Sequence, residues 1–143
     1  MKIVDTNLLV YAVDEAAAHH VGARTWLARS LAGAEAIGFA WTVLLAFIRV
    51  TTNPRIFGSP FTPAEAIRRV QSFLEQPPST VVQPTTRHAA LLRELLEPVG
   101  TAGNLTNDAH LAALAIEHGA ELCSADADFS RFPRVRWVNP LRG

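Results

Sequence analysis

The sequence predicts an α/β fold, a central parallel sheet with helices on both faces. Two observations predict it. Short apolar or β-branched stretches alternate with longer segments at helical spacing, the pattern produced when strands are joined by helical crossovers. Hydrophobic residues make up 49% of the 143 and charged residues 18%, the balance of a chain with one buried core and not of a disordered one.

Residues 2–4 read as a short apolar strand ending at Asp5. Residues 19–31 read as a helix, with Val21, Trp26, Leu27 and Leu31 at roughly helical spacing. Residues 35–40 are a strand, and Thr42 is placed to cap a helix that runs to about Thr52 before Pro54 stops it. A loop rich in Pro and Gly follows over 53–62. Thr62 then caps a helix that opens on Pro63, a residue suited to a first helical turn, and continues to about Glu75 ahead of Pro77-Pro78. Residues 80–83 are a third strand, and 85–96 a helix with Ala89, Leu92 and Leu96 facing inward. Thr106 caps a helix to about His118, with Gly119 as its C-terminal residue and Leu111, Ala112, Leu114, Ala115 and His118 as its inward stripe. Strands at 120–124 and 135–138 complete the set. No linker interrupts it, so residues 1–143 are expected to form a single domain.

Several function classes fall away on composition. Lys+Arg and Asp+Glu both number 13, so net charge gives no argument for a nucleic-acid partner, and any such argument must come from a local site. The lone cysteine, Cys123, rules out an intramolecular disulfide and a thiolate zinc cluster and suits a reducing cytoplasm. The N-terminus meets an acid at Asp5, unlike a signal peptide, and the apolar runs 8–13 and 43–48 are too short to span a bilayer, so no membrane association is expected.

Three aspartates carry the chemistry. Asp5 follows the first strand, Asp126 follows the strand at 120–124, and Asp108 lies in the first turn of the helix leading into that strand. In a β–α–β unit the helix runs against the strands, so its N-terminus sits at the edge where the strands end, which is where open α/β sheets bind ligands. Two carboxylates about 4 Å apart repel by roughly 4 kcal/mol at an effective dielectric near 20. A gathered set therefore calls for protonation, an arginine or a cation, and a hard divalent ion is the natural partner for oxygen ligands. Each aspartate also has a structural alternative: Asp5 as a cap for a helix starting at Thr6-Asn7-Leu8, Asp108 as a dipole partner, Asp126 and Asp128 as turn formers.

The segments taken together resemble a known family. The opening Ile3-Val4-Asp5-Thr6-Asn7-Leu8-Leu9-Val10-Tyr11-Ala12 is similar to the start of PIN-domain proteins. Asn107-Asp108-Ala109-His110-Leu111-Ala112-Ala113-Leu114-Ala115 resembles their third acidic motif, and Leu122-Cys123-Ser124-Ala125-Asp126-Ala127-Asp128-Phe129 the fourth. The segment from Leu45 to Arg55 is similar to a VapC-like subgroup. The resemblance spans nearly the whole chain in the expected order. It implies a PIN-like three-layer α/β/α sandwich, RNA cleavage with Mg²⁺ (Mn²⁺ substituting), and the role of toxin in a type II toxin–antitoxin pair, attacking tRNA or ribosomal RNA. It also implies a homodimer neutralised by a VapB-type antitoxin. One departure stands out. The family's second acidic position, a glutamate in a Glu-Phe-x-Arg context, is Ala46 here, followed by Phe47, Ile48 and Arg49.

On this reading Asp5 and Asp108 are the primary metal ligands, Asp126 completes the shell and Asp128 is a lesser candidate. Thr6, Asn7 and Ser124 are placed to orient the carboxylates, and Arg49 to face the pocket or a phosphate. The basic tail of Arg131, Arg134, Arg136 and Arg142 is placed to meet an RNA backbone. Two alternatives remain: a PIN nuclease of RNA processing, and a non-catalytic binding module that kept the fold, the latter motivated by Ala46.

Overall fold

The computed structural model describes residues 1–142. Five short strands, β1 (Lys2–Val4), β2 (Ile37–Phe39), β3 (Ser79–Val81), β4 (Glu121–Cys123) and β5 (Trp137–Val138), form one sheet in the order β3-β2-β1-β4-β5. Every neighbouring pair is parallel. The helices are α1 (Thr6–Val13), α2 (His20–Leu31), α3 (Trp41–Thr51), α4 (Pro63–Glu75), α5 (His88–Leu96) and α6 (Thr106–Glu117). They flank the sheet, as the α/β/α expectation requires.

A parallel sheet covered on both faces needs strands apolar on both sides. Accordingly Ile3, Val4, Ile37, Phe39, Leu122 and Cys123 are all at or below 1% exposure. Gly38 shows how closely β1, β2 and the chain after β3 approach: a Cβ there would lie 3.0 Å from both Ile3 Cγ1 and Val82 Cγ1. Gly119 ends α6 at φ +61°, a conformation that favours glycine, as the sequence indicated.

The chain leaves β1 toward β2 and β3 on one side and later returns to place β4 and β5 on the other. The order therefore reverses between β1 and β4, and the crevice beyond their carboxyl ends is the place where such sheets hold ligands.

Local signals were followed unevenly. Thr62 caps α4 with a full capping box, accepting from Glu65 N at 3.2 Å while Glu65 Oε1 accepts from Thr62 N at 3.2 Å. Thr42 does not cap α3; the cap position falls two residues earlier, at Ala40, with no side-chain cap. Thr106 lies inside α6, after a 3-10 turn over Gly103–Leu105, and its hydroxyl donates to Gly103 O. The inward face of α5 is Leu91 and Leu95, one position from the expected frame, leaving Ala89 exposed. In α2 Leu27 and Ala23 face the core, whereas Val21 is 75% exposed. The sequence signals the helix at 6–13 only through its cap, Asp5 before Thr6-Asn7-Leu8; its extent goes unmarked, because its run of apolar residues lacks a polar face to mark the period.

Candidate active site

Each acidic side chain reaches the crevice from the end of an element. Asp5 is the N-cap of α1, in an extended conformation, its Oδ1 accepting from Thr6 N at 2.7 Å. Asp108 stands in the first turn of α6. Asp126 caps a short 3-10 helix over Ala127–Arg131, Oδ1 accepting from Asp128 N at 2.9 Å. The structural and chemical readings of these residues thus coexist: the same carboxylates that start helices also converge.

A buried hydrogen-bond network fixes the crevice. Ser124, fully buried, donates from Oγ to Asp5 Oδ2 at 2.6 Å and accepts from Asp126 N at 3.0 Å. Asn7 donates from Nδ2 to Ser124 Oγ at 3.1 Å and to Asp5 Oδ2 at 3.4 Å, and its Oδ1 accepts from Ala125 N at 3.2 Å. Asn7 and Ser124 lie 117 positions apart, so this network ties the exit of β1 to the exit of β4. Thr6 contributes differently. Its backbone N–H meets Asp5, while its hydroxyl donates to Val43 O at 3.3 Å and links α1 to α3.

Asp108, Asp126 and Asp128 each offer a carboxylate oxygen within 4.8 Å of the others. Asp5 lies beside them, for Asp5 and Asp108 line one small cavity of about 160 Å³ together with Thr6, Thr42, Val43, Ala46, Asn107 and Leu111. The charges feel one another. Burial, then repulsion from Asp126, Asp5 and Asp128, pushes the Asp108 carboxyl up to about 6. Burial also raises Asp5, against the lowering pull of the Ser124 and Thr6 hydrogen bonds, and Asp126 adds repulsion. No lysine or arginine lines the cavity; within salt-bridge range of the cluster, only Arg131 approaches, 3.7 Å from Asp128 Oδ1, among the described residues. Hard oxygen donors with excess negative charge fit a hard divalent cation.

The remaining expected residues lie elsewhere. Arg49 is exposed on α3 and does not line the cavity, though it follows Thr42 and Ala46 on the same helical face. The basic tail is dispersed: Arg134 pairs with Glu94, Arg136 donates to Gly119 O, and Arg142 stacks over Trp137. Trp137 in turn donates from its indole to Ser124 O at 2.9 Å. Trp41, at the start of α3, is 46% exposed. From sequence Thr42 reads only as a helix cap and Asn107 only as part of the third acidic motif, where its place beside Asp108 is the available signal for a site role.

Comparison with known proteins follows from this geometry. A model of the PIN domain matches residues 2–135. Ribonuclease VapC37 of Mycobacterium tuberculosis is 49% identical over 140 residues, covering 98% of this chain and 97% of the relative. The chain belongs to the PIN-domain family, among the VapC ribonucleases. Another VapC relative, Ribonuclease VapC43 of Mycobacterium tuberculosis, is 41% identical over 143 residues, covering 100% of this chain and 97% of the relative. Solved structures share the fold. VapBC2 from Rickettsia felis, bound to a DNA fragment from its promoter, superposes with a TM-score of 0.72 at 20% identity, covering 96% of this chain and 97% of that one. FitAcB from Neisseria gonorrhoeae gives 0.69 at 18% identity, with 99% of both chains covered. In this PIN domain Ala46 leaves the α3 wall of the cavity without an acid, so its carboxylates come from α1's cap, α6 and the turn after β4.

Proposed function

We propose that this PIN domain is the toxin of a type II toxin–antitoxin pair, a Mg²⁺-dependent ribonuclease (Mn²⁺ substituting) that hydrolyses tRNA or ribosomal RNA and is neutralised by a VapB-type antitoxin. The observation that carries the nuclease reading is the carboxylate cluster of Asp108, Asp126 and Asp128 with Asp5 beside it. These residues would hold the ion. When bound, such an ion neutralises charge on the phosphodiester and makes water a better nucleophile.

The chain's own groups do the rest. Asp108 must give up its proton to bind a cation, which it does above about 6. Ser124 and Asn7 keep Asp5 in one rotamer, its orientation set before substrate arrives. Thr42 from α3 and Asn107 from α6 line the cavity and offer donors to phosphate oxygens. The cavity is small beside the roughly 300 Å³ or more of a small-molecule pocket. It suits a phosphate group and an ion, with the nucleoside outside. Arg49, on the helical face of Thr42 and Ala46, would meet the flanking backbone, whereas Arg134, Arg136 and Arg142 are engaged with Glu94, Gly119 O and Trp137.

Two surfaces support the partner assignments. A groove between α1, α2 and α4 has a floor of Ala12, Val13, Leu27, Leu31 and Phe73 with Arg24 and Arg69 beside it, suited to an apolar antitoxin segment carrying acids. Trp41 and Leu45, one turn apart on α3 and 46% and 59% exposed, give a homodimer an apolar contact. No helix is long and apolar enough to cross a membrane among the described residues, and a single buried Cys123 accords with the cytoplasm.

The test is RNA cleavage by purified protein with Mg²⁺ or Mn²⁺, leaving 5′-phosphate and 3′-hydroxyl ends. Asp5→Asn and Asp108→Asn should each abolish it with the fold intact by circular dichroism. A 2′,3′-cyclic phosphate product, or equal activity in the variants, overturns the reading. Ala46 favours a second reading, a binding module without catalysis. Stoichiometric RNA binding with no cleavage under any divalent ion would establish that one instead.

A further inference from the structure

On the surface where α5 packs against α6, a second polar cluster stands apart from the acidic crevice. Glu117, its side chain fully shielded from solvent, accepts at Oε1 from Thr85 N at 3.1 Å and from Thr85 Oγ1 at 2.6 Å. Its Oε2 lies 2.7 Å from Nδ1 of His88, a side chain only 12% exposed. A carboxylate can only accept, so Nδ1 of His88 carries a proton and donates. In the neutral imidazole that leaves a lone pair on Nε2, and Nε2 points at Nδ1 of His110, 2.8 Å away. The two rings stand nearly perpendicular, at 76° with centroids 4.8 Å apart.

We propose that His88 Nε2 and His110 Nδ1 form a binding site for a borderline divalent cation of the Zn²⁺, Co²⁺ or Ni²⁺ class, with Glu117 orienting His88 from behind. A carboxylate that fixes the far nitrogen of a ligating histidine is the arrangement that sets tautomer and ring orientation in metal sites and raises ligand basicity. The two nitrogens face each other at hydrogen-bonding distance, so as they stand they share a proton, and a cation takes its place when both rings turn their lone pairs toward a common point. Zn–N bonds of about 2.0–2.1 Å at tetrahedral angles separate two nitrogens by roughly 3.3 Å. The pair must open by about half an ångström and the rings must turn, which His110, not fully buried, has room to do. Water would complete the shell. The site differs from the acidic crevice in ligand type, since imidazole suits Zn²⁺ and its neighbours whereas carboxylate oxygen suits Mg²⁺. It is also independent of the nuclease reading. Bound metal would cross-link α5 to α6, the helix that carries Asp108.

The experiment titrates ZnCl₂ into full-length Asp108→Asn protein, which weakens the acidic site, by calorimetry and by thermal melting. One Zn²⁺ per chain should bind, raising the Tm, and millimolar Mg²⁺ should not displace it. His110→Gln and His88→Phe on the same background should each weaken binding at least tenfold. As a check that needs no histidine variant, imidazole NMR signals of His88 and His110 should shift with zinc while those of His19 and His20 stay put. The proposal is overturned if folded protein binds no zinc, if Mg²⁺ displaces it, if the histidine variants bind as the parent does, or if the His19 and His20 signals move in place of the other pair.

Discussion

Asp108 ties the acidic crevice to stability as well as to metal binding. Its carboxyl, at about 6 in the fold, titrates near 3.9 in an unfolded chain. The folded state therefore binds the proton more tightly, and metal-free stability falls as pH rises through the window between those values. Asp108→Asn removes that penalty. The metal-free variant should melt above wild type at pH 7, with the gap closing toward pH 4, in scans with chelator present; a lower Tm at neutral pH would reject the repulsion argument. Mg²⁺ affinity of wild type should fall as pH drops below about 6, measured by calorimetry. Ser124 presents a different case. Ser124→Ala leaves Asp5 Oδ2 and Asp126 N without their buried partner, which costs about 1–3 kcal/mol. Chemical denaturation should show that loss together with reduced cleavage.

At the scale of elements, the signals that transferred were those with a complete local mechanism. Thr62, Pro63 and Glu65 close a capping box within four residues, and α4 begins where they say. Thr62→Ala should lower stability by about 1 kcal/mol, read from urea melts, with catalysis unchanged. Thr42 and Thr106 have the right residue type but lose the cap to neighbours, because α3 starts directly off β2 and α6 is preceded by a 3-10 turn. The unread extent of α1 and the shifted face of α5 have a common cause: in segments rich in apolar residues, which of them turn inward is decided by what packs against them. The groove between α1, α2 and α4 belongs at this scale too. Charge reversal there, Arg24→Glu with Arg69→Glu, should weaken a VapB-type complex at least tenfold by calorimetry while leaving RNA cleavage by the free toxin intact.

For the molecule as a whole, the convergence of Asp5, Asp108 and Asp126 followed from parallel topology alone, since each lies at a strand end or an opposed helix start. What the sequence did not reveal was the relative standing of the acids. Asp128 joins Asp108 and Asp126 because the 3-10 turn folds it back, and Asp5 is committed to Thr6, Asn7 and Ser124 by contacts that cross the chain. The His88–His110–Glu117 cluster was equally hidden, its members separated by 22 and 29 positions. The same long-range closure makes truncation informative. A chain ending at Gly119 lacks β4 and β5 and exposes one full edge of β1. It should lose its cooperative melt and gain dye-binding apolar surface, whereas removal of residues 139–143 alone should leave a cooperative transition.

β1 pairs with β2 on one side and with β4 on the other, so its second neighbour comes from more than a hundred positions further along the chain. Without Ser124 in place, Asp5 has neither its hydroxyl partner nor its acidic neighbours beyond β4. Any fragment that stops short of β4 therefore holds Asp5 without the groups that orient it, and the acidic crevice closes only once these two distant parts of the chain have met.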